Sequence, residues 1–421
     1  MNKRMILRMV TNPKVIKRLW SYHKLMKRDQ SYSMKKGIKM ALEILKGEKI
    51  VYHDGKYVIC TFMPPFPSEA FDNHIKAVHD QYKIYTEQIY SKRRAPISFH
   101  VAVTHRCMYN CSYCSARGRG NGNELTTEQW KKVFKELQDM GTSVIGVTGG
   151  EPLLREDIEE LIGAFDQRSS VVLFTTGKGL TLEKAKKLKK RGLFGVGISL
   201  DTVDPVKHNT TRGYAEAYNY AIEGIKNSKD AGLYTIIQTV VLERDLDESK
   251  LFQLFELAKK MRVHEVKILE PIMSGELMNK AQEKGVFYSS EARKRLIEIG
   301  LKANKCGRFP KITTFAYTES KERYGCGAGT QHSYITAQGD LYPCDFVPMD
   351  FGNVGEQSVE FLWKEMNEVI GIPKGRCFAM EINPRLKKIA HSLPLDKEKS
   401  MSICRECQVS EYPEFYSNMQ K

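Results

Sequence analysis

The chain has 421 residues, of which 41% are hydrophobic, and it carries a formal net charge of +16. This length predicts two or three domains with real cores, and the composition excludes a disordered or collagen-like chain. Ten cysteines without a secretory signal indicate a reducing cytoplasm rather than a disulfide framework. The apolar runs are too short to span a bilayer, so we expect no integral membrane segment.

The first fifty residues concentrate the positive charge, with 14 Lys or Arg against 3 Asp or Glu. Residues 1–28 alternate basic and apolar side chains, with a break near Asn12-Pro13, which predicts basic amphipathic helices. Three interpretations stay open. The helices lie on an anionic membrane, pack on the next domain with their lysines in water, or hold an acidic peptide or a nucleic acid. Base-reading motifs are absent from the sequence, which disfavours nucleic acid.

A β-hairpin is predicted after these helices. Residues 49–62 turn at His53-Asp54-Gly55, which is a tight-turn sequence. A polar helix from Glu69 to Ser91 then leads into the core. We expect residues 1–95 to form a helix-hairpin module, residues 96–305 the core, and residues 306–421 a small C-terminal domain.

Between Ile97 and Glu270, short β-rich runs alternate with longer amphipathic stretches, the pattern of βα units around a parallel sheet. Six strands are predicted: Ile97–Val103, Ser143–Thr148, Val171–Thr175, Phe194–Leu200, Tyr234–Val241 and Glu265–Glu270. Residues that follow the strand ends are site candidates, because parallel sheets bind ligands at the carboxyl ends of their strands.

Cys107, Cys111 and Cys114 follow the first predicted strand. Three thiolates can hold one metal centre with a coordination position left open, whereas a structural zinc site normally uses four protein ligands. The spacing therefore favours an iron-sulfur cluster, with a zinc site as the alternative.

The run Gly149-Gly150-Glu151-Pro152 ends the second predicted strand, and its glycines allow a ligand to approach the backbone closely. Together, the CxxxCxxC loop and this GGEP run resemble the radical S-adenosylmethionine (SAM) superfamily. The resemblance implies a partial (βα)6 barrel and a 4Fe-4S cluster on the three cysteines. It also implies that SAM binds at Gly149, Gly150, Glu151 and Pro152.

The same resemblance implies four further SAM-binding residues. Thr176 follows the third strand, and Ser199, Asp201 and Arg212 lie at or after the end of the fourth. An alternative for Asp201 is a cap for the following helix.

Four later cysteines form a second set: Cys326, Cys344, Cys404 and Cys407. A hairpin turning at Gly339-Asp340 would bring the first two together. The set resembles the SPASM/twitch extension of radical SAM enzymes, which implies a small α+β domain with one auxiliary 4Fe-4S cluster. Four-thiolate zinc is the alternative.

The three remaining cysteines have no partner in either set. Cys377 is a candidate catalytic residue that supplies a proton or hydrogen atom, or a substitute cluster ligand. We expect Cys60 and Cys306 to be buried small hydrophobes.

The resemblance implies that SAM is cleaved reductively to methionine and a 5'-deoxyadenosyl radical, which abstracts hydrogen from a substrate. A flavodoxin or ferredoxin would supply the electron. The predicted substrate is a peptide or a membrane-associated lipid or isoprenoid, with a sugar or other small metabolite as the alternative. A zinc-stabilised nucleic-acid-binding protein is the alternative from another class. We expect a cytoplasmic enzyme, with peripheral attachment to the inner membrane face left open.

Overall fold

The computed structural model describes residues 3–60, 62–77, 93–118, 122–389 and 393–420. An N-terminal module of helices and one hairpin comes first. Its elements are α1 (Lys3–Val10), α2 (Pro13–Met26), α3 (Met34–Leu45), β1 (Val51–His53), β2 (Lys56–Val58) and α4 (Glu69–Lys76). The predicted break is confirmed, because the Asn12 side chain caps α2 by accepting from the Lys14 amide at 3.0 Å. The predicted linker helix is described as far as Lys76, and residues 78–92 lie outside the described ranges.

The hairpin turns where predicted, with His53 opposite Lys56. Asp54 and Gly55 both have positive φ, of 49° and 77°, which is the backbone of a two-residue turn between twisted strands. None of the helices in the described ranges is long and apolar enough to cross a bilayer.

A nine-stranded sheet forms the centre of the described structure, in the order β11-β10-β3-β4-β5-β6-β7-β8-β9. Its strands are β3 (Ser98–Ala102), β4 (Val144–Thr148), β5 (Ser170–Thr175), β6 (Gly195–Ser199), β7 (Tyr234–Val240), β8 (Glu265–Leu269), β9 (Lys311–Thr314), β10 (His332–Ile335) and β11 (Leu341–Tyr342). Every neighbouring pair is parallel except β10 with β11.

The six predicted core strands are confirmed as β3 to β8, and the predicted C-terminal hairpin as β10 with β11. Two pairings were not predicted. Strand β9 extends the parallel sheet beyond β8, and β10 pairs in parallel with β3. Residues 311–335 therefore continue the core sheet on both sides.

Twelve further α-helices lie in the described ranges, and those that follow the core strands pack against the sheet. They are α5 (Thr127–Met140), α6 (Ile158–Gly163), α7 (Leu182–Lys190), α8 (Pro205–Arg212), α9 (Ala217–Asp230), α10 (Glu248–Lys260), α11 (Ser290–Lys305), α12 (Phe315–Thr318), α13 (Val359–Ile370), α14 (Phe378–Ile389), α15 (Lys397–Glu406) and α16 (Glu414–Gln420). Helix α5 illustrates why they form. A capping box between Thr126 and Gln129 begins it, and Gly141 in the left-handed conformation ends it. Trp130 and Phe134, one turn apart, bury its inner face.

The N-terminal module covers the amino ends of the strands. The His53 ring packs against Phe194, Tyr234 and His264, which lie at or just before the starts of β6, β7 and β8. The carboxyl ends of the strands, where the predicted site lies, are at the opposite edge of the sheet.

Candidate active site

The loop with the three cysteines follows β3 and is held in place by α8. The amide of Asn110 donates to the Arg212 carbonyl at 3.1 Å, and that of Ser112 to the Thr211 carbonyl at 2.9 Å. All three thiols are free and face one cavity, which Gly149 and Gly150 also line.

The two glycines at the end of β4 pack directly against this loop. The Gly150 amide donates to the Thr104 carbonyl at 2.8 Å, and the Glu151 amide to the Arg106 carbonyl at 2.9 Å. A Cβ at Gly150 would clash with the backbone carbonyls of His105 and Arg106. Glycine is therefore required for the GGEP turn to meet the cysteine loop.

Glu151 is fully buried behind this turn, and neither Glu151 nor Pro152 lines the cavity. One carboxylate oxygen accepts from the Thr176 amide and hydroxyl, each at 2.7 Å. The other accepts from the Thr175 hydroxyl at 2.7 Å and the Leu153 amide at 3.1 Å. Burial raises the pKa of this carboxyl, and the hydrogen bonds oppose the shift. We therefore propose that Glu151 positions Gly149, Gly150 and Thr176 rather than contacting SAM itself.

Asp201 has a similar buried role after β6. It accepts from Arg212 through two bonds of 2.8 and 2.9 Å, and from the Tyr113 hydroxyl at 2.5 Å. Burial alone would raise the pKa of Asp201, but Arg212 and His208 outweigh it, so the pKa lies below its ordinary value. Arg212 and Ser199 line the cavity, whereas Asp201 connects Arg212 to the cysteine loop.

The second set of cysteines borders the same cavity through Cys326 and Cys344, and the unassigned Cys377 also lines it. Cys404 is buried in α15, and Cys407 follows that helix and accepts from Arg385 at 3.2 Å. The Cys377 thiol hydrogen-bonds to Cys326, which lowers the pKa of Cys326 to about 6 and raises that of Cys377. Cys377 therefore lies beside the proposed auxiliary site.

The other two cysteines lie apart from these sets. Cys60 is buried as predicted. The prediction for Cys306 is wrong, because this residue follows the last turn of α11 and is exposed there.

Neither cysteine set is compact enough for a single zinc ion. Thiolates that each lie about 2.3 Å from one tetrahedral zinc would be about 3.8 Å apart. In the parts of the chain that the structure describes, one group of three ligand atoms lies within 4.8 Å of one another, and it consists of His100, His332 and Asp345. The thiols of each set therefore lie farther apart than the ligands of one tetrahedral zinc would.

The cavity has a volume of about 1180 Å³ and runs along the strands from their amino ends to their carboxyl ends. It is lined by the first and last residues of β4, Val144 and Thr148, which lie about 13 Å apart at 3.3 Å per residue. Beyond the amino ends of the strands, the lining continues along α2 and α3 of the N-terminal module. We call this cavity the tunnel.

Sequence comparisons agree with this geometry. Residues 101–276 match the radical SAM superfamily, and residues 326–408 match SPASM, an iron-sulfur cluster-binding domain. This chain is a radical SAM enzyme with a SPASM domain. Its cofactors are SAM and 4Fe-4S clusters, and it needs a reductant and a substrate. The alternative of a zinc-stabilised nucleic-acid-binding protein is set aside.

Two similar proteins are named AdoMet-dependent heme synthase. The one from Methanosarcina barkeri is 28% identical over 285 residues, covering 62% of this chain and 80% of that protein. The one from Nitratidesulfovibrio vulgaris is 26% identical over 284 residues, covering 62% and 77%.

Solved structures share the fold of this radical SAM enzyme. SuiB of Streptococcus suis, bound to the precursor peptide SuiA, matches with a TM-score of 0.55 at 18% identity, over 65% of each chain. The enzyme anSMEcpe with bound AdoMet matches with a TM-score of 0.52 at 16% identity, over 77% of this chain and 95% of that one.

Sequence reasoning missed several polar residues inside the tunnel. His100 and His332 each hydrogen-bond to Asp345 at 2.7 Å, and Lys267 projects from the middle of β8. Strands buried in parallel sheets are normally apolar. The sequence signal for these tunnel residues is a histidine or lysine in the middle of an apolar run, as in Phe99-His100-Val101 or Val266-Lys267-Ile268.

Proposed function

We propose that this enzyme abstracts hydrogen from an amphiphilic, chain-like lipid, which it takes from an anionic membrane surface. The observation that carries the proposal is the tunnel, which joins the N-terminal helices to the cysteine loop. Its volume of about 1180 Å³ exceeds the roughly 300–1,000 Å³ typical of small-molecule pockets. Its length suits an extended molecule better than a compact sugar.

The N-terminal helices have two apolar faces, and each supports one of the interpretations left open above. The first face packs inward through Met9, Val15, Tyr22 and Met26. The second is exposed to solvent and includes Trp20, which is 56% exposed. Six exposed apolar side chains also line the tunnel mouth: Val10, Ile16, Leu19, Trp20, Met34 and Ile38.

Basic side chains surround this second face. Lys14, Lys17, Lys24 and Lys39 are all exposed. Helices with an apolar face, a tryptophan and a basic rim lie in the interface of anionic membranes. In that position the tunnel mouth would open toward the acyl chains, and a lipid could enter without crossing water.

At the other end, the chain's own residues have separate tasks. Cys107, Cys111 and Cys114 would hold the cluster that binds SAM, and Gly149 and Gly150 allow SAM to approach the backbone. SAM supplies a 5'-deoxyadenosyl radical when it is cleaved. The tunnel wall orients the substrate carbon and excludes water from the radical. A flavodoxin or ferredoxin as the electron donor belongs to the same proposal.

A heme-like macrocycle is the second candidate substrate. It is favoured by the two relatives named AdoMet-dependent heme synthase, which match 62% of this chain. A flat macrocycle would not need an apolar mouth among basic helices.

The first test measures 5'-deoxyadenosine formation by the anaerobically reconstituted enzyme with SAM and a strong reductant. Membrane-lipid extract, a soluble metabolite and peptide fraction, and iron-free porphyrins are added separately. We expect the lipid extract to raise the rate. Stimulation by porphyrins alone would favour the second candidate, and stimulation by the soluble fraction alone would refute both.

The second test measures binding to vesicles with and without phosphatidylglycerol. We expect binding to the anionic vesicles that weakens at high salt. The double substitution Trp20→Glu with Ile38→Glu should abolish it, because two carboxylates would enter the apolar face. Val206→Glu is the matched control, since Val206 is 75% exposed on α8, outside the N-terminal module. Equal binding by all three proteins would contradict membrane docking.

A further inference from the structure

Five buried charged side chains lie in and beside β8 and β9, and their charges do not sum to zero. They are the cations Lys267, Lys311 and Arg323 and the carboxylates Glu48 and Glu265. The neighbouring thiol of Cys60 stays neutral, because burial raises its pKa to about 11. One positive charge is therefore left over inside the protein, where an unpaired charge is costly.

The hydrogen bonds identify which cation has no direct partner in the described ranges. Lys311 pairs with Glu48 at 2.7 Å and also donates to the Ile59 carbonyl. Arg323 lies 3.8 Å from Glu48 and donates to the Glu43 and Ile44 carbonyls.

Glu265 accepts its hydrogen bonds from neutral donors, while burial raises the pKa of Glu265 and the charges of Lys267 and Lys311 outweigh burial and lower it without a direct hydrogen bond. It accepts from the Tyr234 hydroxyl at 2.9 Å and the Thr313 hydroxyl at 2.6 Å. Within the described ranges, no hydrogen bond or ion pair to the Lys267 ammonium is present. The centroid of the Phe174 ring lies 5.9 Å from the Lys267 Nζ.

Lys267 lies on the tunnel wall. It is 7% exposed, and it alternates along β8 with Val266 and Ile268, which face the helices in the main core. It is the third of the five residues of β8, so its Cα lies about 7 Å below the strand end. Burial lowers its pKa, and Glu265 opposes this shift.

We propose that Lys267 is the anion-binding residue of the tunnel and pairs with a carboxylate or phosphate group on the substrate. This inference rests on the proposed function, since it assigns a headgroup to the apolar substrate. An anion at Lys267 would neutralise the leftover charge and stop the substrate from sliding. Fixing the headgroup about 7 Å below the strand ends then selects the carbon that reaches the SAM end of the tunnel.

The test measures binding of dodecanoate, dodecyl phosphate and dodecanol to the cluster-loaded enzyme by anaerobic calorimetry. We expect the wild-type enzyme to bind at least one anion about tenfold or more tightly than dodecanol, as a hydrogen bond between charged groups provides. The preferred anion identifies the headgroup. Lys267→Met should remove the preference and Lys267→Arg should retain it. Lys186→Met, on the exposed face of α7, is the control and should behave as wild type.

Two results would overturn the role of Lys267 and leave the proposed function standing. In one, all three probes bind with the same relative affinities in the wild type and in Lys267→Met, while the proposed apolar substrate survives. In the other, Lys267→Met unfolds at a lower temperature than the wild type without ligand, although loss of an unpaired buried charge should preserve or raise stability. If none of the three probes binds the wild type, the proposed function fails together with the inference.

Discussion

Glu151→Gln tests whether the buried carboxylate organises the SAM end of the tunnel. Glutamine has the same shape but one acceptor oxygen, and its amide nitrogen cannot accept from the donors on Thr176. Both donors, the amide and the hydroxyl, now bond to the same carboxylate oxygen at 2.7 Å. With the nitrogen toward Thr176, the substitution removes two hydrogen bonds to a charged acceptor and brings a donor against the buried Thr176 amide, and in the reversed orientation it does the same at Thr175 and Leu153.

The size of the effect follows from these contacts. Two hydrogen bonds to a charged group contribute about 3–6 kcal/mol in total, and a neutral side chain avoids part of the cost of burying a carboxylate. We expect a net loss of about 2–4 kcal/mol. Because the affected turn holds Gly149 and Gly150, the KM for SAM should rise about tenfold or more.

The assay is anaerobic 5'-deoxyadenosine formation at varied SAM concentration, combined with urea unfolding of the same preparations. Glu156→Gln is the matched control, because Glu156 lies only five residues after Glu151 and is exposed. If Glu151→Gln kept both the wild-type KM for SAM and the wild-type unfolding midpoint, the positioning role assigned to Glu151 would be refuted.

Two further predictions concern the cysteines. Cys111→Ala should abolish SAM cleavage and lower the iron content by one cluster while the protein remains soluble, whereas the exposed Cys306→Ala should change neither; retained cleavage in Cys111→Ala would disprove the cluster assignment. Cys377→Ala should keep the full iron content but shift the reduction potential of the auxiliary cluster, because Cys377 hydrogen-bonds to Cys326. Loss of iron in Cys377→Ala would instead make it a ligand.

Much of the fold could be predicted because its signals are local. Strands β3 to β8 could be predicted because short β-rich runs alternate with longer amphipathic stretches. The cysteine loop and the GGEP turn could be predicted from the spacing of their residues. The parallel pairing of β10 with β3 could not be found in this way, because the partners are more than 230 residues apart and β10 carries the polar pair His332 and Ser333.

The candidate site was predicted in its residues but not in all of their roles. Glu151 and Asp201 were expected near SAM, and both lie close to the site. Their carboxylates are nevertheless used by Thr176 and Arg212, and neither residue lines the tunnel. Sequence spacing can bring a residue to a strand end, but it does not decide which buried donor its side chain meets.

The sequence by itself determined the chemistry of this enzyme. Three cysteines lie within eight residues, and a GGEP turn follows one strand later. Residues this close in the chain can form one site because the short connections and the local backbone conformation hold them together. Only the tertiary structure decided where a substrate could lie. The tunnel exists because segments far apart in the chain, from Met9 to Tyr416, pack without filling the space between them. The unpaired charge of Lys267 likewise emerges only when Lys311 and Arg323 share Glu48, since charge balance in a core depends on three-dimensional neighbours.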